Sequence, residues 1–356
     1  MKTIRLAFAG VGSNTSAVTQ LVEKSRKEKD LNGVRFSDIL GYSMDSITFV
    51  AAFDVNKDKI GKDLSEAIFS DINSFGKYID VPNLGVKVEA GPLFDGIEGY
   101  LEQKIEVSEV SMKNDTDYVV NILKETKADV LVANLPTGSK RAIKEYALAA
   151  AKAGAAFVNA TPELAARDQE VAEAFEKNGV PILGDDLRSH IGATTLHMIL
   201  IELLKSRGVE VTNTYQLNFG GNMDFYNLAS PGRALSKQKS KRNSLFAAGI
   251  DASNVTAGPN GYIEYLQDKK VCYLHLEGKS VLDTDVNIEL KLEVQDSANA
   301  AGVLASAIRI AAAAKEKGLS GVIDPVCPYL FKSPRKPLSD REGTKAYLEF
   351  IEKDEV

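Results

Sequence analysis

The chain has 356 residues, enough for two domains, with 44% hydrophobic and 26% charged residues, as in an ordinary globular protein, and its net charge of −6 disfavours nucleic acid as a partner. Its two cysteines, Cys272 and Cys327, cannot form a disulfide framework and match no metal-binding spacing. No apolar run reaches the roughly 18 residues of a membrane span, and the N-terminus lacks the apolar stretch of a signal peptide. We therefore expect a cytoplasmic protein with no membrane partner.

The first 205 residues are predicted to alternate between strands and helices. Predicted strands cover residues 2–9, 47–53, 129–134, 155–159 and 180–184. Predicted helices cover residues 13 to about Lys29, 57–71, 139–153, 163–177 and 189–205, and residues 30–46 and 72–115 have the polar, Gly-containing character of loops or insertions. This alternation indicates an α/β fold with a Rossmann-like, doubly wound parallel sheet.

The pattern changes near residue 209. Residues 209–219, 271–277 and 284–296 are predicted strands, residues 220–260 are loop-rich, and a helix is predicted at residues 299–317. In the last strand, polar residues alternate with Val286, Ile288, Leu290, Leu292 and Val294. A period of two indicates a sheet with one covered face, more often antiparallel. We therefore predict a second α+β sheet domain at residues 205–299, and a first domain formed by residues 1–204 and 300–356.

A glycine-containing turn after the first strand suits a dinucleotide. Gly10 and Gly12 allow close approach of a pyrophosphate to the backbone, and the helix that follows favours its negative charge. The third glycine of the usual motif is replaced by Thr15, so an ordinary strand-to-helix turn is the alternative. Asp54, at the end of the second strand, is placed to bind ribose hydroxyls and to repel a 2′-phosphate, which favours NAD over NADP. The alternative for Asp54 is a solvated carboxylate.

Polar side chains also follow later strands. Residues 134–139, Asn-Leu-Pro-Thr-Gly-Ser, suit a nicotinamide-side loop as well as a plain helix N-cap at Ser139. Residues 184–189, Gly-Asp-Asp-Leu-Arg-Ser, suit a polar ligand site, or a helix cap by one of the carboxylates. Residues 218–225, Asn-Phe-Gly-Gly-Asn-Met-Asp-Phe, can wrap around a sugar with many hydroxyls or form a glycine bulge.

Four lysines have the chemistry of a phosphate and oxyanion site, since lysine neutralises phosphate and stabilises an enolate. Lys237 and Lys241 belong to a basic run at residues 236–242 and share one face if the run is helical. A solvated charge run is the alternative. Lys270 and Lys332 stand in apolar contexts, as snorkelling surface lysines also do.

Together these segments resemble the myo-inositol-1-phosphate synthase family in its short archaeal and bacterial form. The resemblance covers nearly the whole chain, and the 218–225 run and the spaced lysines are its most specific parts. The residues that carry it are 10–12, 51–54, 91–96, 134–139, 156–162, 184–186, 192–194, 218–225, 236–241 and 293–299. It implies an NAD-dependent isomerase that oxidises glucose 6-phosphate at C5, enolises the ketone, closes the ring by an aldol step and reduces the ketone again.

By this similarity Lys237 stabilises the developing oxyanion, Lys241 serves C5 oxidation or the phosphate, and Lys270 and Lys332 hold sugar oxygens, the phosphate or the nicotinamide side. The remaining residues expected at the catalytic centre are Asp186, Asn218 and Asp296, the last paired with a lysine. The residues expected at the cofactor are Gly10, Gly12, Ser13, Asn14, Thr15, Asp54, Asn134, Pro136, Thr137, Asn159, Asp185, Arg188 and Ser189.

The resemblance further implies a homotetramer built through the second domain, which also serves catalysis, and in some members a divalent cation such as Mg²⁺, Mn²⁺ or Zn²⁺. Two departures stand out: residues 13–16 read Ser-Asn-Thr-Ser, and Arg188 stands where the family usually has lysine. Because arginine cannot carry a proton and has a different geometry, Arg188 puts in doubt either the exact substrate or the details of that corner of the pocket. The alternatives are a cyclase for another sugar phosphate, a plain NAD-linked dehydrogenase and a non-enzymatic NAD-binding regulator.

Overall fold

The computed structural model of the chain describes residues 2–28, 31–250 and 255–352. Its strands are, in chain order, β1 (Ile4–Ala9), β2 (Asp38–Ile39), β3 (Tyr42–Ser43), β4 (Ile47–Asp54), β5 (Val88–Ala90), β6 (Val130–Ala133), β7 (Ala156–Asn159), β8 (Pro181–Leu183), β9 (Glu210–Gly220), β10 (Ala257–Tyr262), β11 (Lys269–Lys279), β12 (Asp285–Gln295) and β13 (Gly321–Val322).

The α-helices of the same described residues are α1 (Ser13–Ser25), α2 (Leu64–Ala67), α3 (Thr116–Glu125), α4 (Lys140–Ala153), α5 (Gln169–Lys177), α6 (Ala193–Ser206), α7 (Met223–Leu228), α8 (Leu235–Ala247), α9 (Asp296–Glu316), α10 (Cys327–Leu330) and α11 (Asp340–Glu352).

Seven strands form a parallel sheet in the order β13-β8-β7-β6-β1-β4-β5. All four residues of β6, and all four of β7, are buried, as expected when helices cover both faces of a parallel sheet. The strand order reverses beside β1, so a crevice forms beyond the carboxyl ends of β1 and β6, where ligands bind in such sheets. The predicted α/β class is confirmed.

A second, mixed sheet has the order β10-β9-β11-β12, with β10 parallel to β9 and the other pairs antiparallel. Its covered face packs on α6 and α8, where Met198 and Ile201 join Leu274 and Leu276 in a separate core. Helix α6 gives apolar side chains to this core, although it lies before the boundary at 204/205 predicted from the sequence.

Helix α9 returns the chain to the first sheet. Its buried residues, among them Leu304 and Ile308, belong to the main core. By length and composition α9 could cross a membrane, but 78% of its apolar window is buried inside the protein. It is therefore accounted for as a core helix.

Several predicted segments differ from the structure, among them residues 30–46, which contain β2 and β3. The helix predicted at residues 57–71 is reduced to α2, since Gly61 has a positive φ of 84° and Asp63 caps the shorter helix through the backbone N–H of Ser65. The segment 72–115 contains β5, and the loop-rich segment 220–260 contains α7, α8 and β10. Helix α1 ends at Ser25, and its predicted end near Lys29 lies outside the described residues.

Candidate active site

A cavity of about 240 Å³ lies where the carboxyl end of the parallel sheet meets the second unit. Residues that follow β1, β4, β6 and β7 line one side, and residues that follow β8, residues around α7, α8, β11 and the start of α9, and Lys332 line the other. The predicted site residues that line it are Gly10, Gly12, Ser13, Asn14, Asp54, Asn134, Pro136, Thr137, Asp186, Ser189, Lys237, Lys270, Asp296 and Lys332.

The turn after β1 is built for close approach. Gly10 has a φ of +93°, and a Cβ there would lie 2.6 Å from the carbonyl oxygen of Asn134. Gly12 begins α1 without a side-chain cap, so the first N–H groups of that helix have no protein side chain to bind. Thr15 does not line the cavity. Its hydroxyl donates to the Gly10 carbonyl at 2.7 Å and accepts from the Asn134 amide at 3.1 Å, which secures the turn.

Asp54 faces the cavity and also holds this turn. One carboxylate oxygen accepts from the backbone N–H of Val11 at 2.9 Å, and the other accepts from those of Val55 and Asn56. Lys59, which the sequence reasoning missed, is buried beside it and donates 2.7 Å to the Val11 carbonyl. Its Nζ lies 3.6 Å from Asp54. Lys59 lies in the helix predicted at residues 57–71, where nothing in the sequence marks it as a buried group.

Three ion pairs line the opposite wall. Lys332 pairs with Asp186 at 2.7 Å, Lys270 pairs with Asp296 at 2.9 Å, and Lys237 pairs with a carboxylate that the site prediction omitted, Asp224. The signal for Asp224 was its place in the 218–225 run. Its second oxygen accepts from the Thr137 hydroxyl at 2.9 Å, so this pair is tied to the loop after β6.

The protonation of these lysines follows from burial and from their partners. Burial lowers the pKa of Lys237, but the carboxylates of Asp224 and Asp186 outweigh it, so the net shift is upward. For Lys332 burial prevails over the attraction of Asp186, and its pKa is lowered. Burial would raise the pKa of Asp296, but Lys270 and Lys237 reverse this shift and lower it.

Lys241 differs from the other three lysines. It does not line the cavity, is 4% exposed, and has no hydrogen bond or ion pair to any described residue. Burial, then the positive charges of Lys270, Lys332 and Lys237, lower its pKa well below the ordinary value. An amine whose pKa is lowered in this way accepts a proton at a lower pH than an ordinary lysine does.

Five of the predicted site residues support the site from behind, Thr15 among them. Asn218 is fully buried in β9, where its amide donates to the Gly258 carbonyl at 2.8 Å. Asn159 donates 2.7 Å to the buried carboxylate of Asp185, which burial raises to a pKa of about 6. None of these three lines the cavity.

The fifth is Arg188, and here the prediction of cofactor contact is corrected. The guanidinium lies outside the cavity lining and donates to Asp340 at 3.0 Å and to the Phe331 carbonyl at 3.1 Å. The backbone turns at Asp186, which has a φ of 63°, so the regular alternation of an extended strand does not carry over to Arg188. The doubt that Arg188 raised about the substrate therefore has no basis in the geometry of the cavity.

Two further residues that the sequence did not point to donate hydrogen bonds to the carboxylates of these ion pairs. The Ser240 hydroxyl donates to Asp186, and the Asn222 amide donates to Asp296 at 3.2 Å. Across residues 2–28, 31–250 and 255–352, no group of three or more His, Cys, Asp or Glu side chains is arranged to hold a metal ion. The predicted divalent cation thus has no protein ligand cluster in the part of the chain described.

Comparison with known proteins agrees with this geometry. The family model of myo-inositol-1-phosphate synthase matches residues 192–297. The chain is 43% identical to the inositol-3-phosphate synthase of Mycolicibacterium smegmatis, with 98% of both chains covered. It is 41% identical to that of Corynebacterium glutamicum, with 97% of this chain and 98% of the relative covered.

Solved structures show the same likeness. The crystal structure of Ari2 is 39% identical, with a TM-score of 0.81 and all of both chains covered. That of inositol-3-phosphate synthase from Caenorhabditis elegans is 14% identical and shares the fold, with a TM-score of 0.78 over 98% of this chain and 85% of that one. With its full-length relatives, its two sheets and its lysine-lined cavity, the chain belongs to the inositol-3-phosphate synthase family, a family of isomerases.

Proposed function

We propose that this protein converts D-glucose 6-phosphate to 1L-myo-inositol 1-phosphate, also named inositol 3-phosphate, with NAD as a catalytic cofactor. The observation that carries the proposal is one cavity with two unlike walls. A glycine turn with an uncapped helix N-terminus forms one wall, and three lysine–carboxylate pairs form the other. The names of the full-length relatives support the same activity.

The residues of the first wall fit NAD. Gly10 and Gly12 would hold the pyrophosphate: a side chain at Gly10 would clash with the Asn134 carbonyl behind the turn, and the space beside Gly12 is open. Asp54 accepts three backbone N–H groups, which leaves about one of the four acceptor positions of a carboxylate for a ribose hydroxyl. Its negative charge disfavours the 2′-phosphate of NADP. When bound, NAD⁺ supplies a hydride acceptor at the start of the reaction and a hydride donor at its end.

The lysines would handle the protons and the developing negative charge. Lys241 does not line the cavity, so the proton of the C5 hydroxyl would reach it through Lys332, a lining lysine whose pKa is also lowered, as that carbon becomes a ketone. The ketone acidifies the C6 protons, the phosphate of the substrate accepts one of them, and Lys237, held as an ammonium by Asp224, stabilises the oxygen of the resulting enolate. Carbon 6 then attacks the C1 aldehyde of the same molecule. Lys270 and Lys332 bind sugar oxygens or the phosphate, each aligned by its carboxylate.

We also propose that the protein assembles as a homotetramer through the open face of the second sheet. Tyr273 is 44% exposed on that face, and Tyr215 stacks on His275 with ring centroids 4.9 Å apart. Exposed aromatic residues on an uncovered sheet face are typical of protein interfaces. Light scattering measures the molecular mass of the parent protein and of Tyr273→Glu in solution. If this sheet face is the interface, the parent protein has the mass of a tetramer and the Tyr273→Glu variant dissociates. A cytoplasmic location fits a sugar-phosphate substrate and two buried free cysteines.

The proposed reaction is tested by incubating the protein with glucose 6-phosphate and NAD⁺, with and without Mg²⁺. Cyclitol phosphate is followed by NMR and NADH by absorbance. The proposal predicts cyclitol phosphate with no net NADH, and loss of product with Lys237→Ala. Stoichiometric NADH without cyclitol would identify a plain dehydrogenase instead. No turnover of glucose 6-phosphate would reject this substrate, and other hexose phosphates would then be compared.

A further inference from the structure

The Lys332–Asp186 pair rests on a short backbone ladder between two segments that are far apart in sequence. The Lys332 N–H donates to the Asp186 carbonyl at 2.7 Å, and the Ser333 N–H donates to the Asp185 carbonyl at 2.9 Å. Leu187 and Phe331 form a bridge in the same ladder. The position of the Lys332 ammonium, 2.7 Å from Asp186, therefore depends on the register of this ladder.

Arg188 closes the ladder at one end. Its backbone N–H donates to the Leu330 carbonyl at 2.9 Å, and its Nε donates to the Phe331 carbonyl at 3.1 Å. The side chain of Arg188 thus holds the peptide immediately before Lys332, and its backbone holds the peptide before that one.

The far side of the guanidinium is fixed to the helices behind the site. Nη1 donates to Asp340, the first residue of α11, at 3.0 Å, and Nη2 lies 3.8 Å from the sulfur of Met198 in α6. The Asp340 N–H donates in turn to Glu202 of α6 at 2.9 Å. Arg188 is 6% exposed, so these bonds are shielded from water and hold one geometry.

We propose that Arg188 is a positioning residue that fixes Lys332 against Asp186 through the Phe331 carbonyl, with Asp340 and helix α11 as its support. This inference rests on the proposed cyclase activity. The planar guanidinium donates to the Phe331 carbonyl and to the Asp340 carboxylate from different nitrogen atoms. The single ammonium of a lysine is poorly suited to bond both groups at once. It also explains why an arginine stands between cavity residues without lining the cavity.

The test compares Arg188→Lys, Arg188→Met and Asp340→Asn with Arg309→Lys as a matched control. Arg309 is fully buried and donates to the carbonyls of Phe36 and Ser37, and it does not line the cavity. Thermal unfolding, NAD affinity, kcat and KM for glucose 6-phosphate are measured for each protein. We expect kcat to fall about tenfold to a hundredfold in Arg188→Met, as for a small misplacement of a catalytic group.

In Arg188→Lys and Asp340→Asn, kcat should fall less than in Arg188→Met. The NAD affinity of these three variants should stay within twofold of that of the parent protein. Arg309→Lys should lower the unfolding temperature without lowering kcat. The double variant Arg188→Met/Lys332→Ala should have a kcat only slightly lower than that of Lys332→Ala alone, since both substitutions act through the Lys332 ammonium. The inference is overturned if a folded Arg188→Met protein keeps its kcat, or if Arg309→Lys loses the same activity for the same loss of stability. An inactive parent protein would instead reject the proposed function.

Discussion

Replacement of Lys241 by methionine should remove a proton acceptor and, at the same time, a penalty on folding. The lysine is buried among three other lysines with no carboxylate partner in the described chain, and its pKa lies well below the ordinary 10.5. Between the folded pKa and 10.5, the unfolded chain binds a proton that the folded protein does not. The contribution of Lys241 to the free energy of unfolding therefore rises with pH between these two pKa values. It is lowest at pH values below the folded pKa.

The size of the effect follows from one proton. Between the two pKa values, Lys241 should increase the free energy of unfolding by about 1.4 kcal/mol per pH unit. The Lys241→Met variant should lack this increase with pH. Methionine is close to lysine in shape, so the packing cost is small. Because a general acid or base contributes roughly 10²–10⁴-fold, kcat should fall by that factor while NAD still binds.

Urea unfolding from pH 7 to 10 measures the slope, with protein concentration held constant so that assembly does not alter the comparison. Lys239→Met is the control, since Lys239 lies exposed on the same helix. Equal slopes for the parent protein and Lys241→Met would refute the assignment of a buried neutral lysine. An unchanged kcat would refute its role in proton transfer.

Three further perturbations have defined outcomes. Gly10→Ala brings a Cβ to 2.6 Å from the Asn134 carbonyl, so calorimetry should find weaker NAD binding and about 1–3 kcal/mol less stability, whereas an unchanged Kd would contradict the cradle. Asp54→Asn should raise the ratio of NADP to NAD affinity, and a constant ratio would remove Asp54 from cofactor selection. Burial lowers the pKa of His197 to about 4, so protonation of the unfolded chain should destabilise the parent protein as the pH falls from 6.5 to 4. Over the same pH range, the free energy of unfolding of His197→Gln should fall less than that of the parent protein.

The glycine turn after β1 could be predicted from the sequence because its rules are local. Gly10, Gly12 and Asp54 each follow directly from a strand end and a helix start, and the structure brings all three to one cavity. The parallel sheet was predictable for the same reason, since each strand–helix repeat has its own signal.

Helix α8 was not predicted because most of its buried residues are polar, with Leu245 as the apolar exception. Ser240, Lys241 and Ser244 point inward where an ordinary amphipathic helix would have apolar residues, so the segment lacks the usual periodicity. The helix is buried against a charged site, which a single-sequence pattern does not reveal. Similarly, Lys332 and Asp186 lie far apart in the chain, and only the ladder between their segments makes them a pair.

The central claim, a transient oxidation at C5 with return of the same hydride, is tested most directly with glucose 6-phosphate deuterated at C5. The purified protein is given one equivalent of NAD⁺, and the cyclitol phosphate is analysed by NMR and mass spectrometry. The account predicts that deuterium stays at the corresponding ring carbon of the product and that no labelled NADH accumulates. Deuterium lost to the cofactor pool, or a labelled product that is not cyclised, would contradict it.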